Sequence, residues 1–123
     1  MLTPAQTEAL VVAVLAVNQY PIEKVRAQLP RLRAARLTDP SWVAAEGEGV
    51  VTATLNASGH ERGMLTGMMA ERLQCLMRAI HAGVLDGLTA LVDSGDEASA
   101  VRLLCTVKGI GPRVAETAIM LLK

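Results

Sequence analysis

Aromatic residues are all but missing: Trp42 and Tyr20 are the only two in 123 residues. A protein that grips single strands by base stacking needs several such platforms, so that class is disfavoured. Cysteine is equally scarce. Cys75 and Cys105 fall in apolar stretches that read as helical, where free thiols are expected to be buried and a disulfide framework finds no support. Without a four-cysteine pattern, neither an iron–sulfur cluster nor zinc is expected. His60 and His81 have no cysteine or carboxylate at ligand spacing, so no metal and no cofactor is expected. Neither sign of charge is in excess, with 12 basic and 12 acidic side chains, so no global field draws the chain onto nucleic acid. Long hydrophobic runs are also lacking. The stretch from Ala9 to Val17 is too short to span a bilayer, which needs about 20 apolar residues, and no basic leader precedes it. A soluble, cytoplasmic protein with no membrane partner is the expectation.

What is present is apolar and helical. At 51% apolar, residues 1–123 can bury a real core as a single domain, and nothing alternates with period two for long enough to be a strand. Thr3 and Gln6 form a capping box for a first helix over Pro4 to Val17, apolar on nearly every face and therefore central. A second helix begins at Pro21 or Ile22 and should break or kink at Pro30 before resuming through Leu37. Asp39-Pro40 starts a short helix with Trp42 and Val43, and another covers about Val50 to Ala57, stopped by Ser58-Gly59. The longest helix, His60 to Ala82, carries a stripe of Leu65, Met69, Leu73, Leu76 and Ile80, widened by Met64, Met68 and Met77. Adaptable core filling explains these methionines better than a partner groove. Gly83 caps it. A short helix follows near Gly87 to Val92, then Ser94 to Glu97 reads as a capping box for a helix over Glu97 to Val107. The last helix starts at Pro112.

The turn between these last two helices, Lys108-Gly109-Ile110-Gly111-Pro112-Arg113, carries the strongest functional signal. Two glycines can take positive φ and let another backbone approach, and Pro112 suits a first helical position. Free amide N–H groups beside a helix N-terminus suit a phosphate. A plain glycine turn between packed helices would account for one glycine. Two glycines flanking Ile110, with Val107 before them and Ala115 after, fit a hairpin in which Ile110 plugs the crevice and Ala115 allows close approach.

This spacing matches the helix-hairpin-helix motif, at about residues 97–122, and the segment resembles the hairpin of the endonuclease III-like DNA glycosylase superfamily. The whole chain is similar to that family's helical barrel, which begins with a buried apolar helix and ends with the hairpin. The resemblance implies an all-α barrel or bundle that binds double-stranded DNA through Lys108, Gly109, Ile110, Gly111, Pro112 and Arg113. Gln19, after the first helix, matches a wedge residue that fills the gap left by a flipped base, although a polar residue at a helix end needs no such role. Ser58 to Arg62 is similar to the family's turn before its long helix.

Two departures bear on catalysis. The lysine with which some members form a Schiff base is Arg113 here, and an arginine stays protonated and cannot be that nucleophile. The family's aspartate lies beyond the hairpin helix, past Lys123. Asp93, Asp96 and Glu97 cluster ahead of the hairpin, but Ser94 and Glu97 read as a cap and Asp96 as a favourable first-turn charge, and Glu116 reads as an ion-pair partner for Arg113. No catalytic residue is therefore assigned. The basic stretch Lys24, Arg26, Arg31, Arg33 and Arg36 is either an extension of a phosphate-binding surface or a solvated helix face. The expected function is noncatalytic duplex DNA binding. The alternatives are a base-excision enzyme completed by a second polypeptide or self-association, and a helical protein-interaction module.

Overall fold

The computed structural model describes residues 1–123 and is all-α, with eight helices. They are α1 (Pro4–Leu15), α2 (Ile22–Ala34), α3 (Pro40–Ala45), α4 (Glu48–Ala57), α5 (Thr66–His81), α6 (Leu88–Asp93), α7 (Glu97–Leu104) and α8 (Pro112–Leu122). A 3-10 turn, Gly63–Leu65, leads into α5. No helix is long and apolar enough to cross a membrane.

The most apolar helix takes the central place because burying all its faces requires neighbours on several sides. Every residue from Leu10 to Leu15 is buried, and α1 packs against α2, α5 and α8. The Thr3 hydroxyl accepts from the Gln6 N–H while the Gln6 side chain accepts from the Thr3 N–H, closing the expected capping box. The core is one cluster of 27 buried apolar residues, in which Met69, Leu73, Leu76 and Met77 of α5 meet Leu10 and Leu15 of α1 and Val43 and Val51 of α3 and α4. The last three helices pack on one another and α8 lies along α1. That pairing sets the last turn beside the C-terminal end of α1.

Four expectations need correction. Pro30 does not break α2: its side is exposed, and Val25, Gln28 and Leu32, buried on both sides of it, hold one continuous helix. The helix ends at Ala34, because Arg36 takes φ +67°. The long helix starts at Thr66, not His60. Gly63 at φ +60° interrupts the α-helical pattern, and Met64, in the 3-10 turn, is fully exposed and lies outside the apolar stripe, as does the exposed Leu65. The cap of α7 is Asp96, whose carboxylate accepts from the Ser99 N–H at 3.1 Å, while the Ser94 hydroxyl turns back to the Leu91 carbonyl. Finally, neither cysteine is fully buried: Cys75 is half-buried, and Cys105 is exposed just past α7, whose inward stripe is Ala100 and Leu104.

Candidate nucleic-acid interface

The turn joining α7 to α8 is anchored by side chains that point inward. Val107 and Ile110 are buried, and Ala115, in the first turns of α8, is fully so. Ile110 is thus a core residue that holds the turn in place, whereas Lys108, Gly109, Gly111, Pro112 and Arg113 are exposed.

The two glycines differ. Gly109 has φ +92°, a conformation in which a side chain is strained, and a Cβ there would lie 2.9 Å from the Arg72 Cγ. Gly111 is extended at φ −93°, not left-handed as the sequence suggests, and a Cβ on it would meet open space. Gly111 therefore has no packing reason to be glycine within the chain. The N–H groups of Gly109, Gly111, Arg113 and Val114 make no hydrogen bond within the protein, and no side chain caps α8. These donors stand at the positive end of the α8 dipole.

A cleft of about 530 Å³ opens beside them. Ala13, Ala16 and Val17 from α1 and its end form an apolar wall, faced by Gly109, Gly111, Arg113, Val114 and Thr117, with Arg72 of α5 also on the rim. Asn18 and Gln19 complete it. The fold thus brings Gln19 to the same cleft as the turn, some ninety positions away in the chain. Gln19 is exposed, and it and Asn18 both lie at positive φ, 66° and 57°. Consecutive left-handed non-glycine residues are costly and persist only where their surroundings hold them.

The clamp is Arg62. Its guanidinium donates to the carbonyls of Leu15 at 3.4 Å and Val17 at 3.2 Å, the open C-terminal end of α1, and lies 4.4 Å over the ring of Tyr20. Tyr20 is fixed from the other side. The Gln28 amide donates to the Tyr20 hydroxyl at 2.6 Å and to the Gly59 carbonyl at 3.1 Å. Because that carbonyl can only accept, the Gln28 Oε1 faces His60, so the His60 Nδ1 donates across 3.0 Å and the buried Nε2 carries a lone pair with no partner. Burial first, then the nearby charges of Arg62 and Lys24, push the His60 pKa down to about 4. The ring is neutral and structural, edge-on to Tyr20 with centroids 4.9 Å apart.

Charge pairing separates the basic residues. Arg113 and Arg72 have no acidic partner and no hydrogen-bond acceptor within the protein. The expected ion pair between Arg113 and Glu116 does not form. Lys108 pairs with Glu71 at 3.1 Å, and the hydrogen bond to Glu71 raises its pKa. The basic stretch divides between two flanks of α2. Arg33 is held by both carboxylate oxygens of Glu8, at 2.6 and 2.9 Å, and Arg26 lies 3.9 Å from Glu23. On the other flank Lys24 lies 5.0 Å over the Tyr20 ring, next to the Gln19 tip, and Arg31 borders Gly59. Arg36 pairs with Asp39 beyond the helix.

Sequence reasoning missed Arg72 and the Tyr20, Gln28 and His60 network. Arg72 sits mid-helix with no local motif, and only the contact with Gly109 reveals it. Comparison with protein-family models, curated proteins and solved structures finds no match to this chain.

Proposed function

We propose that this chain binds duplex DNA without strong sequence preference, using the turn around Gly109 to Arg113 with Gln19 across the cleft, and that by itself it is a binding module. The observation that carries this reading is the convergence on one cleft of open backbone donors, two arginines without counter-ions and a strained glutamine tip. Backbone N–H groups at a helix N-terminus and guanidinium forks are the donors that phosphates accept from, and such contacts position a protein without reading bases. A protein of zero net charge can bind this way because the donors are local.

The cleft also limits the chemistry. Its only ionisable side chains are Arg72 and Arg113, which stay protonated and supply neither a general acid nor a nucleophile. The test is a fluorescence anisotropy titration on intact and base-modified duplexes across a range of salt. Binding with a shallow slope, about −2 in log K against log salt if two phosphates are neutralised, supports the reading. Affinity for neither duplex at low salt overturns it.

A further inference from the structure

We infer that Arg72 is a phosphate-contacting residue of this cleft, the second cation beside Arg113, in place of Lys108. The inference rests on the duplex-binding reading above.

Three observations on separate elements lead to it. First, the turn is built around Arg72. Its methylene stem occupies the space a Cβ at Gly109 would fill, at 2.9 Å, so the turn's left-handed glycine and this arginine fit only together. Second, its charge is unanswered. Arg72 is half-buried along its stem, while its guanidinium nitrogens reach solvent, and no carboxylate pairs with them and no carbonyl accepts from them, so the fork is free to engage an outside acceptor. Its neighbour Glu71 is already engaged by Lys108. Third, it shares the rim with open donors. Gly109, Gly111 and Arg113 line the same cleft, whereas Lys108 does not. A planar fork beside oriented backbone N–H groups suits the tetrahedral oxygens of a phosphodiester, where two oxygens can each accept. Holding the stem against the turn also lowers the entropy lost when the fork engages.

The experiment compares Arg72→Met, which keeps an unbranched stem over Gly109, with Arg72→Lys and Lys108→Ala in the full chain, reading duplex affinity and salt slope by anisotropy and the fold by thermal melting. The expected result is a loss of about tenfold in affinity for Arg72→Met, with the salt slope reduced by about one charge. Arg72→Lys should keep the slope but lose part of the affinity, and Lys108→Ala should change both less than Arg72→Met. Wild-type affinity and slope in a folded Arg72→Met variant, while Arg113→Ala weakens binding, overturns the inference and leaves the duplex reading standing. If Arg72→Met melts early, Arg72→Gln decides: wild-type affinity and slope overturn the inference, and reduced affinity with the slope lower by about one charge supports it. No duplex binding by the wild type overturns both.

Discussion

Arg72 and Gly109 interlock: the stem of the arginine on α5 takes the volume that any side chain at position 109 would need. The turn beside the cleft is thus shaped from below by a residue of another helix, and the two glycines that look equivalent in sequence have different reasons to be there. Gly109 answers to the fold. Gly111, open to solvent on its Cα, answers to nothing inside the chain.

Single substitutions should separate these roles. Gly109→Ala must adopt positive φ and displace Arg72, a cost of about 1–3 kcal/mol that should show as an earlier thermal melt. Gly111→Ala should melt only a few degrees below wild type, since replacing glycine by alanine at this helix N-cap costs about 0.5–1 kcal/mol and meets no steric clash. Its duplex affinity should nevertheless fall several-fold, because a methyl group blocks close approach of a phosphate. Full affinity in a normally folded Gly111→Ala protein would remove the turn from the interface.

Most of the secondary structure is legible in the chain, because it is written in local chemistry: the Thr3 and Gln6 box, the Asp39-Pro40 start, Gly83 at the end of α5 and Pro112 at the head of α8. The errors fall where tertiary packing overrules a local rule. Pro30 is carried through by Val25 and Leu32, and His60 is drawn out of a helical pattern into a buried hydrogen bond with Gln28. The turn before Pro112 and the end of α1 are each marked locally in the chain, but their meeting depends on α8 packing along α1. Arg72 had no local mark. Its role comes from a contact, and contacts between distant residues leave no trace in spacing.

The basic residues of α2 offer a second test. Arg33 is committed to Glu8, so Arg33→Ala should leave duplex affinity near that of wild type, whereas Lys24→Ala, beside Tyr20 and the Gln19 tip, should weaken it. Titrations of both variants at one salt concentration suffice. A larger loss from Arg33 than from Lys24 would mean that the footprint runs along the flank of α2 facing Glu8.

Stability should depend on pH through His60. Its folded pKa, about 4, lies below the ordinary 6.5, so between these values the unfolded chain binds more protons and acid favours unfolding. The stabilisation is fully present above pH 6.5 and is lost as pH falls toward 4, a change of up to about 3 kcal/mol for one fully buried ring. The lowered carboxylates Asp39, bonded to Ser41, and Asp96, bonded to Ser99, act in a more acidic window, so they do not obscure it. Thermal melts at intervals across this range should show a decline that His60→Phe, though less stable at neutral pH, does not share. A parallel decline in both proteins would place the titrating group elsewhere.

The purified chain should release no base and cut no abasic strand above background. Expelling a base requires an acid or anion beside the developing sugar cation, and lyase chemistry requires an amine able to lose its proton. The cleft is lined by two arginines and no acid: Asp96 caps α7, Glu97 pairs with Lys123, and Glu116, exposed and unpaired on α8, is not part of the lining. Flipping a base costs a few kcal/mol, which an exposed Gln19 has little binding energy to offset. Arg113→Lys adds a sharper arm, since it places an amine at the cleft without altering the turn. Incubation of both proteins with abasic duplex and borohydride should trap neither. Trapping of the lysine variant alone would show that the cleft admits an abasic sugar, and turnover by the unmodified chain, lost on changing Asp96, Glu97 or Glu116, would make it an enzyme.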